Sequence, residues 1–215
     1  MPLPMIHLAI AVELGRVYPQ CMSPAFLLGS IAPDSIHMRP NATGDDKQAT
    51  HLIAEGSRFA ENDDLHNLIN QHHLAQPPLP LFTLGYVVHI LTDNFWKQTV
   101  IDSFRAKLPQ ELDHAAYRRL YYQETDQLDF NLYHHAAWRP DVWDRLAAAD
   151  AVDFPPLLTA SEIGGWCDRT LRWFTELKEE PGIIPEYLTD SLAQDFVAKA
   201  AGYVGTHLRQ WSVPH

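Results

Sequence analysis

The chain has 215 residues, enough for one large domain with a substantial core, and its 27 acidic against 16 basic residues give a formal net charge of -11 with histidines neutral. That balance opposes non-specific attraction to nucleic acid or anionic lipid, so neither binding to a nucleic-acid duplex nor stable membrane association is expected. A phosphate-bearing ligand would need local positive charge, which bound metal could supply, and 12 histidines are many for this length.

The opening "MPLPMIHLAIAVELGR" lacks the basic segment, apolar core and small-residue cleavage site of a secretory signal. No uninterrupted apolar run reaches the ~20 residues of a membrane span. A cytoplasmic protein is expected, with Cys21 and Cys167 as reduced thiols, because they are far apart and outside any C-x-x-C spacing.

Helical periodicity dominates, and nothing alternates with period two between hairpin turns. The first helix is predicted from Pro4 to Leu14, with Gly15 as its stop. Ser23 as N-cap and Pro24 at N1 open a short second helix, which leads into the polar loop "IAPDSIHMRPNATGDD". A third helix is expected over Lys47 to Asn62, then a short one around "DDLHNLINQHH" before the breaker "AQPPLP". The long central helix should run from Leu81 to Lys107, followed by helices at 110–136 and 140–149. The last two are expected at 161–179, opened by the capping box Thr159-x-x-Glu162, and at 185–211. With no repeat and no low-complexity stretch, the fold class is all-α, a multi-helix bundle in one domain spanning 1–215.

Inside the central helix, "GYVVHILTDNFW" sets His89 and Asp93 one turn apart on one face, where an imidazole and a carboxylate can converge on a divalent metal. Alone, the motif reads better as a core histidine bonded to its own i+4 carboxylate. His7 lies among Leu3, Ile10, Ala11 and Leu14 on a core-facing stripe, Asp34 follows Pro33 after the second helix, and His51 opens the third helix in "KQATHLIAE". Each has a dull reading as a carbonyl cap, a turn aspartate or a surface residue. Together, five inward-prone ligand types on four elements make a dinuclear site possible, and helical bundles host such sites.

The order His7, "FLLGSIAPDS" with Asp34, "THL" with His51 and "GYVVHILTDNFW" with His89 and Asp93 resembles the bacterial zinc-dependent phospholipase C family and the wider group that includes the fungal single-strand nucleases. The resemblance covers roughly the first hundred residues. It implies an all-helical fold with metals in a cleft between helices, Asp34, His51, His89 and Asp93 on one ion, and His7 with a bridging Asp93 on a second. Asp34 and Asp93 are then also the catalytic carboxylates.

Two departures stand out. The secreted relatives use a processed N-terminal tryptophan as a ligand, whereas this chain begins with Met1. They also carry a later histidine and H-x-x-x-E for a third metal, while here that spacing occurs only upstream, at His51 and Glu55. Two divalent ions are therefore expected, zinc first, with iron or manganese also suited to a His/Asp set. Replacement ligands could come from Glu124, Asp126, Asp129, His134, His135 or His37, although a solvated acidic face accounts for most of these. His66, His72 and His73 read as surface, and Trp166, Trp173, Phe174, Tyr203 and Trp211 as core.

The function implied is a metal-dependent phosphodiester hydrolase acting on a small phosphoester through metal-activated water, without a covalent enzyme intermediate. An HD-type phosphohydrolase would need an adjacent His-Asp pair, which is absent. The alternative from another class is a helical metal-binding or scaffold protein without turnover. Neither the substrate nor the oligomeric state is written in one sequence.

Overall fold

The computed structural model describes residues 3–72, 75–76, 79–109 and 111–210; His73, the Pro77-Pro78 breaker and Trp211 lie outside them. Among the described residues there are ten α-helices and no β-strand. They are α1 (Pro4–Gly15), α2 (Pro24–Gly29), α3 (Gly44–Thr50), α4 (Asn62–His72), α5 (Leu79–Trp96), α6 (Asp102–Lys107), α7 (His114–His135), α8 (Arg139–Ala147), α9 (Ala160–Arg172) and α10 (Asp190–Gln210). A 3₁₀ segment over Ala32–Met38 follows α2, and a π turn over Lys97–Ile101 joins α5 to α6. No helix is long and apolar enough to cross a membrane.

α5 is the hub. Every residue from Phe82 to Asn94 is buried, so the helix is enclosed on all sides, as apolar sequence around its whole circumference requires. It packs against α1, α2, α4 and α10. Its closest neighbour is α2, and two glycines set that approach. A β-carbon on Gly85 would lie 2.1 Å from the Phe26 carbonyl oxygen, and one on Gly29 would lie 2.1 Å from that of Phe82. The backbones therefore touch at a distance that no side chain permits. The consequence is that the C-terminal carbonyls of α2 lie beside the α5 face that carries His89.

Local signals placed several boundaries well. Ser23 caps α2 through the Phe26 N–H, and Thr159 with Glu162 forms the reciprocal capping box at α9. A second such box, Thr43 with Asp46, starts α3 earlier than the sequence suggested. That helix also ends far sooner, at Thr50 rather than Asn62. Leu52 takes φ 53° and Gly56 φ 77°, left-handed conformations that break the helix, so 52–61 is an irregular connection. His51 accordingly closes α3 instead of opening a helix.

Other ends moved for similar reasons. Asp113 caps α7 through the Ala116 N–H, delaying its start to His114. Residues 178–189 form no helix because the buried Glu124 carboxylate gathers the N–H groups of Glu186, Tyr187 and Leu188. α10 begins only after that turn. The predicted central helix does reach Lys107, but through the π turn, which adds a residue to one turn and rotates α6 relative to α5. Cys21 and Cys167 are buried and unpaired, and burial pushes both thiols up to about 12.

Candidate metal centre

Five side chains from four elements meet beside the α2–α5 contact. His7 comes from the middle of α1, Asp34 from the 3₁₀ segment, His51 from the C-terminal end of α3, and His89 and Asp93 from α5. All are buried, the histidines and Asp93 to within 2 % of complete and Asp34 to 8 %. Asp93 is at the middle of the group. Its Oδ1 is 3.6 Å from His7 Nε2, while its Oδ2 is 3.6 Å from His51 Nε2 and 3.9 Å from His89 Nε2. Asp34 Oδ1 lies 3.6 Å from the same His51 nitrogen.

These separations decide between the two readings of H-x-x-x-D. At 3.9 Å, His89 and Asp93 are not hydrogen bonded, and neither are the 3.6 Å pairs. The buried Nε2 atoms of all three histidines and both Asp93 oxygens have no hydrogen-bond partner. A core histidine satisfied by its i+4 carboxylate would show the opposite. The edges of a tetrahedral zinc site with ligands at ~2.0–2.1 Å are about 3.3–3.4 Å long. The observed spacings are slightly wider, and a small inward movement of the side chains closes them.

The tautomers point the same way. His51 Nδ1 lies 2.9 Å from the Lys47 carbonyl oxygen and His89 Nδ1 lies 2.9 Å from that of Ser30. A carbonyl only accepts, so each Nδ1 carries the proton and each Nε2 turns a lone pair inward. Such backbone partners are what orient metal-binding imidazoles. His7 stacks on His89 with ring centroids 3.8 Å apart, which two imidazolium ions could not tolerate. Burial, reinforced by His89, holds His7 well below the usual histidine range, and burial brings His51 down to about 3. His51, His89 and the ionised Asp93 present acceptors, and His7, with neither ring nitrogen hydrogen bonded, can turn Nε2 inward as a fourth. A water molecule has only two protons to offer them, whereas a cation satisfies every lone pair at once.

Charge balance favours a cation as well. Burial raises the Asp93 carboxyl above the ordinary carboxylate range, with His89 opposing, so its ionised form lacks compensation inside the protein. Burial would raise Asp34 too, but the Lys47 ammonium, 3.0 Å from Oδ1, leads the groups that hold it well below that range. Two triplets, His7–His89–Asp93 and Asp34–His51–His89, have ligand atoms close enough to hold a metal ion. They share His89, whose one inward nitrogen has a single lone pair and so serves one ion only. Asp93, with an oxygen facing each side, is the group able to serve two.

The reserve ligands suggested by the sequence are engaged elsewhere. Glu124 holds the 186–188 backbone, Asp126 pairs with Lys178 at 2.8 Å, and Asp129 accepts the Met5 N–H at 3.4 Å near the start of α1. His134 faces Glu180, His135 is exposed, and Glu55 is exposed on the connection after α3. His72 leans on Phe154 with ring centroids 5.1 Å apart, so it is not simply a surface residue. Of the group, only His37 reaches the site's edge, 3.8 Å from Asp34. Sequence reasoning missed Lys47 and the Ser30 carbonyl. Lys47 precedes His51 by four residues and so shares its helix face, a signal that was present; nothing marks a carbonyl in advance. No known protein family, no curated protein and no solved structure matches this chain.

Proposed function

We propose that the chain is a metal-dependent phosphoester hydrolase whose centre is built by His7, Asp34, His51, His89 and Asp93, the reading that the resemblance to zinc-dependent phospholipases C also favours. The single observation that carries it is the convergence of three unpartnered imidazole nitrogens on an unpartnered, buried carboxylate. Divalent ions held there would supply Lewis acidity toward a phosphoryl group and acidify water.

The residues divide the work. Asp34, His51, His89 and the Asp93 Oδ2 side surround one position, and His7 with Asp93 Oδ1 border a second. The first would offer an ion four protein ligands and hold it tightly; the second would offer two and leave positions for water and substrate. Zinc suits this donor set best. Lys47, partly exposed and bonded to the buried Asp34, marks the side from which a soluble phosphodiester would approach.

Elemental analysis of purified protein together with hydrolysis of a chromogenic phosphodiester tests the reading. Between one and two zinc ions per chain, and turnover abolished by a chelator and restored by zinc, are expected. Metal-free protein that fails to take up zinc would overturn it.

A further inference from the structure

An acidic chain that handles phosphoesters needs positive charge where the anion arrives, and two lysines stand one helical turn from the candidate ligands. Lys47 precedes His51 by four residues on α3, and Lys97 follows Asp93 by four residues at the start of the π turn. Of the other cations near them, Arg169, within electrostatic reach of His37, lies over the Trp173 ring. Arg39 is bound to Glu162, Asp46 and the Leu157 carbonyl, and Arg58 to Asp102 and the Lys97 carbonyl.

Lys47 is differently placed. Its Nζ lies 3.0 Å from Asp34 Oδ1 and 3.0 Å from His37 Nε2, and its side chain is 34 % exposed. Two acceptors fix the ammonium, and its third N–H has no acceptor among the described residues. The same Asp34 oxygen faces His51 Nε2, so that ammonium borders the space where an ion and its outer ligand would sit. Lys97 is partly buried with no ion pair or hydrogen bond to its ammonium among the described residues, and both Asp93 and Lys47 lie within electrostatic reach of it. The Lys97 ammonium is not among the buried unpartnered atoms, so it keeps contact with solvent and is open to an arriving anion.

We infer that Lys47, seconded by Lys97, forms the phosphoryl-binding edge of the centre, donating to the non-bridging oxygens of the substrate and of its phosphomonoester product, for which inorganic phosphate is the probe; this rests on the phosphoester reading. Lys47 is then more than the counterion of Asp34. It positions the anion, with Asp34 and His37 holding it in place.

The test is a calorimetric titration of the zinc-loaded protein with inorganic phosphate, comparing wild type, Lys47→Gln and Lys97→Gln, with zinc content measured on the same samples. Loss of a charged hydrogen bond should weaken phosphate binding by about tenfold in Lys47→Gln, and loss of the longer-range charge by about threefold in Lys97→Gln. Zinc content should stay at the wild-type value, and Lys47→Arg, which keeps the charge, should recover part of the affinity. Lys47→Gln that binds phosphate as tightly as wild type would overturn the inference and leave Lys47 as a counterion. A protein that takes up no zinc would remove the hydrolase reading, and the titration is then run metal-free. Weakening by Lys47→Gln would still sustain the anion site there; equal binding, or none, would end it.

Discussion

In the proposed centre, Asp93 is the residue on which both ion positions depend. Its oxygens face His7 on one side and His51 with His89 on the other, so Asp93→Asn replaces an acceptor on one side with an amide donor and removes the shared charge. Zinc content should fall below one per chain and hydrolysis should disappear. His7→Ala should keep one ion and some turnover, because His7 borders only the second position. Retention of two zinc ions by Asp93→Asn would refute the bridging role. Acid should act through the histidines even without metal. An imidazole that is neutral in the fold but has an ordinary value of 6.5 when unfolded adds stability above that pH, and the contribution is lost as pH falls toward the folded value, about 3 for His51. Each such histidine contributes a slope of about 1.4 kcal/mol per pH unit. Asp93, raised by burial, acts in the opposite sense and flattens the curve from its raised value down to the ordinary 3.8. The melting temperature of the metal-free protein should therefore drop between pH 6.5 and 5, and His51→Asn should make that drop shallower. An unchanged slope would mean that His51 is protonated in the fold.

The geometry of these side chains is set one level up, by how closely α2 can approach α5. Gly29 and Gly85 allow backbone contact, and that contact brings the Ser30 carbonyl to His89 Nδ1. Gly85→Ala places a methyl group where the Phe26 carbonyl now lies, so the helices must separate. The expected cost is about 3 kcal/mol or more by urea denaturation, with a weaker zinc affinity because His89 loses its orienting partner. A variant with wild-type stability and zinc affinity would show that the close approach is dispensable. The sequence carried this layer unevenly. The all-α class, the hub helix and the inward placing of His7, His89 and Asp93 are legible, because apolar periodicity and the i,i+4 spacing of His89 and Asp93 are local, whereas Asp34 and His51 join them only through the resemblance. The end of α3 is not, since the left-handed residue of its C-terminal cap, where Leu52 N–H bonds the Ala49 carbonyl and Ile53 N–H the Gln48 carbonyl, is a leucine and not the glycine or asparagine that would announce it. Glu124 misled for the same reason. A carboxylate that caps a distant loop looks in sequence like any acidic ligand, and only the fold reveals its three N–H partners. The glycine contact likewise arises from helix order in space rather than from either motif alone.

For the whole molecule, the question is where a phosphoester would be met. A charge of -11 repels anionic lipid surfaces. The positive charge beside the centre, at Lys47 and Lys97, is only two residues, so it suits a single phosphoryl group that comes to the site. Drawing a lipid out of a bilayer needs adhesion at the bilayer plane, and no helix among the described residues combines an apolar face with a lysine- and arginine-rich one. Soluble phosphodiesters and monomeric short-chain phosphatidylcholine should therefore be hydrolysed at least tenfold faster than long-chain phosphatidylcholine in vesicles, an estimate of about 1.4 kcal/mol for the missing adhesion. The three substrates are compared at matched zinc loading and in equal salt, since screening would weaken any repulsion from the acidic surface. Faster turnover on vesicles than on both soluble substrates would refute this and assign the protein a docking face that only forms at a membrane.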